Sequence, residues 1–346
     1  MKFTREQNEL RSAVRAVLTH HEGAAAWVPL TEAVGAAGLG VPEEYGGVGG
    51  GTPETYVVME ELGRTLSPVP YLASTILATQ ALVVSGNTRA CAELLPRLAD
   101  GTAVGALAWA ENGSWEPEAL NARVRAGRLT GVKEHVLTGP GHPDILLVLA
   151  QGEEGPALYQ VTCTEGEFTP LPTMDETRSQ ARITFDGTPD VKLLAADGER
   201  ILSRVRDLAC TALAAEQTGA ATQALADTIE YAKTRVQFGR PIGSFQAVKH
   251  RIADLHVELE AARSLAQAAA HSNAAPHLAA AAKAACSQAY TNIAGEMIQL
   301  HGGIGITWEH QAHRHLKRAH SGRLLFGAPP AHRQRLAAGL DLTPVT

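Results

Sequence analysis

Apolar positions recur at helical spacing in the first and the last third of the chain. Between residues 4 and 100, Val58, Leu62 and Leu66 follow steps of four residues, with polar residues between them. From about residue 199 the apolar stripe is longer, and it includes Ile252, Leu255, Leu259, Ala262 and Leu265. The pattern predicts further helices over residues 277–300, 309–325 and 331–340. Both ends of the chain are therefore expected to be helical.

The middle of the chain has a different pattern. Residues 144–150, 157–162 and 182–185 are short apolar or alternating runs, and glycine and proline turns separate them. These runs predict strands. We therefore expect an α+β fold with an N-terminal helical domain (residues 1–103), a small central β domain (residues 104–197) and a C-terminal four-helix bundle (residues 198–346).

Composition narrows the classes of function. The 346 residues are 45% hydrophobic, and the formal net charge is −6, so no basic field attracts nucleic acid. No apolar stretch is long enough to span a membrane, and the charged N-terminus is followed by no apolar signal region. These features predict a cytoplasmic protein. The cysteines lie far apart and are expected to be reduced, buried thiols: Cys91, Cys163, Cys210 and Cys286.

The most informative motif is YAKTRVQFGRPIGSFQ at residues 231–246, between two long helical patterns. Arg235 can contact phosphate oxygens with its forked guanidinium, and Phe238 offers an apolar face. Gln246 can donate to and accept from a nucleobase edge. This set suits a dinucleotide, although a glycine-containing turn with a surface arginine would show the same pattern.

Residues 231–246 resemble the flavin-binding signature of the acyl-CoA dehydrogenase family. Three more segments agree with that family in order and spacing: PEEYGG at 42–47, EELGR at 60–64 and QLHGGIGITWE at 299–309. The resemblance covers nearly the whole chain. Four ordered motifs are far more specific than any single glycine motif.

The resemblance implies the acyl-CoA dehydrogenase fold, with FAD at a subunit interface and an acyl-CoA substrate between the β domain and the C-terminal bundle. By the same resemblance, three residues would hold the pyrophosphate and adenine side of an FAD that belongs mainly to a neighbouring subunit: Arg235, Phe238 and Gln246. A second set would approach the same cofactor: Gln299, Gly302 and Gly303. Glycines allow backbone amides to come close to a phosphate, and a helix C-cap requires them as well.

The chain departs from the family where the catalytic base is expected. Members resembling it use a glutamate that takes the α-proton of the thioester while a hydride leaves the β-carbon for the flavin. In one branch that glutamate corresponds to Phe326, and in another it corresponds to Ala209. Neither side chain can accept a proton. Asp207 lies two positions from Ala209 and would point away from it on a helix. The catalytic residue is therefore left unassigned.

A second departure concerns the flavin ring. The family has a Gly-Ser-Asp element that hydrogen-bonds the ring, whereas residues 108–115 read AWAENGSW and lack it. Residues 136–139, VLTG, resemble the strand end that covers the flavin, with Val136 where an aromatic residue often stands. The sequence thus predicts a flavin pocket that retains the residues of its pyrophosphate and adenine side and lacks those of its ring side.

Three other chemistries deserve comparison. Two histidines one helical turn apart, His310 and His313, suggest a metal site, but no carboxylate or cysteine completes it, so we expect a solvated basic face and no metal. Glu216 is a lone acid in an alanine-rich helix and is a candidate base, although a structural hydrogen bond is the simpler role. Glu309 suits the N-terminal turn of a helix.

The leading hypothesis is a base-deficient subunit of a mixed acyl-CoA dehydrogenase oligomer, whose homologous partner supplies the glutamate and the ring pocket. One alternative is a self-sufficient homo-oligomeric dehydrogenase with an unidentified base. The other is a flavin-free structural homologue. Retention of the motif around Arg235 argues against the last, because without cofactor it would have nothing to bind.

Overall fold

The computed structural model describes residues 3–162 and 167–339. The N-terminal region is helical, and its first helix begins at a capping box in which Thr4 and Gln7 exchange side-chain and backbone hydrogen bonds. The helices of this region are α1 (Arg5–His20), α2 (Trp27–Glu32), α3 (Thr52–Arg64), α4 (Thr79–Ser85) and α5 (Thr88–Ala99). A fully buried π-helical segment, Leu72–Ala78, leads into α4.

A sheet of eight strands follows. The strands are β1 (Gly105–Ala108), β2 (Arg123–Arg125), β3 (Arg128–Leu137), β4 (Ile145–Gln151), β5 (Pro156–Val161), β6 (Phe168–Pro170), β7 (Gln180–Thr188) and β8 (Lys192–Ala195). Their order is β6-β7-β3-β2-β4-β5-β8, and β1 pairs in parallel with β4. Strand β4 is buried along almost its whole length, as its continuous apolar run predicts.

The C-terminal region is again helical. Its helices are α6 (Gly198–Thr234), α7 (Gln246–His271), α8 (Pro276–His301), α9 (Ala312–Leu324) and α10 (Pro329–Gly339). A two-stranded hairpin of β9 (Val236–Gln237) and β10 (Arg240–Pro241) separates α6 from α7. The proline at the first position of α8 has no amide to leave unpaired there.

These elements confirm the predicted α+β order of helices, sheet and helices. The predicted strands over 144–150, 157–162 and 182–185 correspond to β4, β5 and part of β7. By contacts the chain divides into two compact units, one with Thr4–Val58 and Pro68–Ala209, the other with Met59–Ser67 and the chain from Cys210 onward. The division into three domains, with boundaries after residues 103 and 197, stays a prediction.

Three of the cysteines, Cys91, Cys210 and Cys286, are buried and form no disulfide bond, and Cys163 lies outside the described residues. Burial raises the pKa of the Cys286 thiol to about 12, which keeps it protonated. Within residues 3–162 and 167–339, no helix combines the length and apolar character that crossing a bilayer needs.

Helices α3 and α6 cross with their backbones in direct contact. A Cβ on Gly219 would lie 1.8 Å from the carbonyl oxygen of Glu60, and a Cβ on Gly63 would lie 2.0 Å from that of Glu216. Each helix thus places a glycine against the other's backbone. The glycine of the EELGR segment at 60–64 is explained by this crossing, since only a residue without Cβ fits there.

We expect Gly219→Ala to destabilise the protein by about 3 kcal/mol or more, because a methyl group so close to a carbonyl oxygen forces the two backbones apart. Chemical denaturation followed by circular dichroism measures the change. The matched control is Gly295→Ala in α8, where a Cβ would meet nothing within 4 Å. That substitution should be neutral or stabilise the helix by about 0.5–1 kcal/mol. Equal effects of the two substitutions would contradict the close crossing.

Candidate functional site

The predicted dinucleotide motif forms an exposed hairpin. Phe238 and Gly239 connect β9 to β10, and both have positive φ angles, +54° and +76°. Two positive φ values are typical of the tight turn that joins two-residue hairpin strands. The hairpin closes at its base through a 2.8 Å hydrogen bond from the amide of Ile242 to the carbonyl oxygen of Arg235.

The three predicted side chains of this motif are accessible. Arg235 and Gln246 are exposed, and Phe238 is 91% exposed. An aromatic side chain held in solvent in a left-handed conformation contributes nothing to the core, and such an outlier points to a binding role. Phe245, by contrast, lies under the Arg240 guanidinium at 4.0 Å from its ring centroid.

The second predicted segment lies at the end of α8. Gln299, Gly302 and Gly303 are exposed. Gly302 has a φ angle of +62° and caps the helix, as the C-cap interpretation expects. A Cβ on Gly302 or Gly303 would meet no atom within 4 Å. The backbone here is therefore open to an approaching ligand and is not filled by protein.

An aromatic contact brings the two segments together. The ring of Tyr231, in the last turn of α6, stacks on His301 with centroids 4.2 Å apart. The Tyr231 hydroxyl donates to the carbonyl oxygen of His301 at 3.2 Å. Arg235 and Gly302 each follow closely after these two residues. Residues far apart in the sequence thus belong to one surface of the C-terminal helices.

Two cations on this surface were not singled out from the sequence. Arg240 covers Phe245, and the Lys317 ammonium lies 4.4 Å from the ring centroid of Trp308, a residue that is 67% exposed. Cation–π pairs of this kind leave a positive charge beside an aromatic face. Lys317 belongs to the basic face that the sequence predicts around His310, but its aromatic partner becomes evident only from the fold.

The two histidines that were weighed as a metal site, His310 and His313, make aromatic ring contacts. His310 packs against His301 with centroids 4.3 Å apart, and His313 meets Trp308 edge-on at 4.6 Å. Burial lowers the pKa of His301. Over the described part of the chain, no group of three or more His, Cys, Asp or Glu side chains is placed to hold a metal ion.

The two positions that correspond to the family's catalytic glutamate are occupied by Ala209 and Phe326. Both residues are apolar and fully buried. Phe326 has a φ angle of +61°, and its carbonyl oxygen lies 3.1 Å from Nε2 of His332. The buried Lys283 ammonium donates to the carbonyl oxygens of Arg323 and Gly327. The segment around Phe326, between α9 and α10, is therefore held through its backbone. Its side chains offer no group that accepts a proton.

Glu216, the other candidate base, is engaged in a buried ion pair. Its carboxylate oxygen Oε1 lies 3.0 Å from Nε of Arg318, and both side chains are at most 5% exposed. Arg318 also donates through Nη2 to the carbonyl oxygen of Ser67 at 3.0 Å. Next to this pair, burial lowers the pKa of His315 to about 4. The geometry gives Glu216 a structural role. Glu309, exposed, precedes α9.

The loop after β1 is built around a second buried ion pair. The Glu111 carboxylate pairs with the Lys133 ammonium and accepts hydrogen bonds from the amides of Asn121 and Ala122. Burial lowers the pKa of Lys133 to about 8, and the neighbouring carboxylate opposes that shift. Glu111 therefore anchors the loop to β3.

An aromatic cluster occupies the rest of this loop. Trp115 stacks on His135 with centroids 6.2 Å apart and meets Trp109 edge-on at 5.3 Å. Glu116 forms a 2.7 Å ion pair with Arg206 of α6. The loop at residues 108–115, which lacks the family's ring-binding element, and the end of β3 beside Val136 are thus joined by the contact between Trp115 and His135.

Family models match most of the sequence. Residues 4–102 match the acyl-CoA dehydrogenase N-terminal domain, and residues 201–340 match the acyl-CoA dehydrogenase C-terminal domain. The chain belongs to the acyl-CoA dehydrogenase family. The members of this family are FAD-binding oxidoreductases that act on CH–CH bonds. The resemblance inferred from the four motifs is confirmed.

Individual relatives agree with this assignment. The chain is 40% identical to acyl-CoA dehydrogenase IpdE2 of Mycobacterium tuberculosis over 98% of each chain. Among solved structures, it resembles a chain of the ChsE4–ChsE5 complex of Mycobacterium tuberculosis (27% identity, TM-score 0.88, 99% of each chain). It also resembles a chain of the Tcur3481–Tcur3483 steroid acyl-CoA dehydrogenase G363A variant (31% identity, TM-score 0.86, 97% and 98% of the chains).

The residues present fit one part of FAD and not the other. The exposed Arg235 and the open glycines at 302 and 303 suit a phosphate-bearing dinucleotide. At the loop after β1, which the family resemblance associates with the flavin ring, Trp115 instead contacts His135, and the Gly-Ser-Asp element is absent. The residues at 235, 302 and 303 therefore suit a phosphate-bearing group, whereas this loop lacks the polar contacts that a flavin ring would need.

Removing the Glu216 charge should lower the stability of the protein and leave turnover unchanged. We expect Glu216→Gln to destabilise the protein by about 3–5 kcal/mol, because it leaves the Arg318 guanidinium buried without its counter-charge. Denaturant unfolding measures this loss. The double variant with Arg318→Met should recover much of the stability. If folded Glu216→Gln protein in its complex lost turnover, Glu216 would be the base and the structural role would be wrong.

Proposed function

We propose that this chain is the base-deficient subunit of an FAD-dependent acyl-CoA dehydrogenase and completes the FAD site of a homologous partner subunit. The reaction would be α,β-dehydrogenation of an acyl-CoA thioester. The observation that carries the proposal is the contrast within the chain: an exposed dinucleotide surface at Arg235 and Gly302, and apolar residues at both base positions.

The relatives support a mixed assembly. Two of the solved structures that this chain resembles have titles that name two different proteins together, ChsE4 with ChsE5 and Tcur3481 with Tcur3483. A homo-oligomer of this chain would contain only pockets that lack a base. A homologous partner that has the glutamate and the flavin-ring contacts would complete the pockets to which it contributes the ring side. The cytoplasmic location stays a prediction.

The roles of this chain's residues follow from their chemistry. Bound FAD would supply the acceptor for the hydride. Arg235 would neutralise the pyrophosphate with two parallel charge-assisted hydrogen bonds, and the amides at Gly302 and Gly303 would donate to the same anion. Phe238 would cover the adenine side, and Gln246 and Gln299 would supply polar contacts. The α-proton would go to a partner glutamate.

The test of the proposal is the composition of the purified assembly. We expect the chain alone to hold no FAD and to oxidise acyl-CoA at least about 10²–10⁴-fold more slowly than a complete member, since general-base catalysis contributes that much. Co-expressed with its partner, it should form an α2β2 tetramer with two FAD. Native mass spectrometry and flavin absorbance measure mass and stoichiometry.

The alternatives give different results in the same experiment. One FAD per subunit in a pure homotetramer, with turnover, would reject the proposal and favour a self-sufficient enzyme. No flavin in either preparation would favour a structural homologue.

A single substitution tests the dinucleotide surface. Arg235→Ala should weaken FAD retention by the assembled complex about ten- to a hundredfold, because a charge-assisted contact is worth about 1.5–3 kcal/mol. Flavin release on dilution, followed by fluorescence, measures the effect. Arg5→Ala is the control, since Arg5 pairs with Glu9 on α1 outside both motifs. If both variants retained flavin equally, Arg235 would not belong to the site.

A further inference from the structure

The loop between β1 and β2 carries Trp115 onto an irregular part of β3. The register between β3 and β7 shifts between Lys133 and Val136. His135, within this bulge, has a φ angle of +51°. A bulge re-aims side chains, and a left-handed histidine is a strained conformation that its surroundings must maintain. Here the imidazole lies against the indole of Trp115, with 29° between the ring planes.

The loop is held on both sides of Trp115. Before it, the Gly113 amide donates to Oε2 of Glu134 at 3.1 Å. After it, Glu116 pairs with the Arg206 guanidinium at 2.7 Å, and the Arg206 side chain is only 10% exposed. A nearly buried arginine requires a counter-charge more than a surface one does. The Trp115 side chain is therefore fixed in place by the contacts of its neighbours.

We infer that Trp115 and His135 close the ring side of this chain's own pocket, so that a planar tricyclic ring such as isoalloxazine is excluded from it. The inference rests on the proposed function. A ring inserted between two others lies about 3.5 Å from each, so its neighbours must stand roughly 7 Å apart. The centroids of Trp115 and His135 are 6.2 Å apart. This contact would close the ring side of the pocket, and this chain also lacks the polar contacts to the flavin ring. Both features would restrict flavin to half of the pockets of the mixed tetramer.

The inference names the residues that decide where flavin binds. Removing the indole would leave an opening lined by the imidazole of His135 and the edge of Trp109, two aromatic surfaces on which a planar ring can stack. The ligand class for the opened site is a flavin ring. Lumiflavin, the ring without phosphate or adenosine, is the probe, because it does not depend on the Arg235 surface.

The experiment uses Trp115→Ala in the full chain, co-purified with its partner. Fluorescence titration should show that the variant binds lumiflavin at least about tenfold more tightly than the wild type does. This factor corresponds to about 1.4 kcal/mol, because the aromatic contact that competes with the flavin ring is removed. With FAD, the flavin content should rise from two towards four per tetramer. Unchanged lumiflavin affinity in folded protein would overturn the inference.

Two further variants control the result. His135→Phe keeps an aromatic face beneath Trp115, so lumiflavin binding should stay as in wild type, and a gain equal to that of Trp115→Ala would overturn the closure. Glu116→Gln releases the pair with Arg206 and should give a smaller gain. If Trp115→Ala does not fold, Glu116→Gln is the deciding variant. An unchanged lumiflavin affinity of the Glu116→Gln protein would then overturn the inference.

Failure of the proposed function is distinguishable from failure of the closure. A wild-type complex that holds no FAD rejects the proposed function, while the lumiflavin comparison still tests whether Trp115 blocks the ring side. A wild-type complex with four FAD rejects both. Two FAD together with an unresponsive Trp115→Ala variant rejects the closure alone.

Discussion

The close crossing of α3 and α6 is the constraint on which the rest of the structure depends. Glycines at 63 and 219 let the two backbones touch, and the Glu216–Arg318 pair connects the same turn of α6 to α9. A buried ion pair is weak as a source of stability but costly to break. It therefore specifies one arrangement of these helices. The 37 residues of α6 then carry Arg206 near one end and Tyr231 near the other.

The functional consequence of this arrangement is a division of roles along α6. Through Arg206 the helix holds the loop with Trp115, and through Tyr231 it contacts the end of α8 beside Gly302. The first contact belongs to an aromatic cluster, and the second lies beside the exposed Arg235 and the open backbone at Gly302. Under the proposed function, these two ends of α6 would belong to a chain that contributes to another subunit's cofactor and does not enclose its own. Electrostatic attraction of the phosphate groups by Arg235 and its neighbours would favour that contribution.

The family, the order of elements and the turns within the two candidate cofactor segments were predictable from the sequence because each depends on local signals. Apolar spacing predicted the helices, continuous apolar runs predicted β4 and β5, and glycine spacing predicted the turn at Gly239 and the cap at Gly302. The sequence also shows that the side chains of Phe326 and Ala209 cannot accept a proton, whatever the fold. Lys317 and Arg240 were missed, because a cation over an aromatic ring has no sequence signature.

The sequence by itself determined which chemical groups this chain possesses: the arginine at 235, the phenylalanine at 238, the glycines at 302 and 303, and the absence of a carboxylate at either candidate base position. The tertiary structure decided which of those groups can act. It placed Glu216 in a buried pair with Arg318, brought the rings of His301 and His310 into contact, and placed Trp115 on His135. The physical reason is that availability of a side chain depends on burial and on partners far away in sequence, and neither is encoded locally.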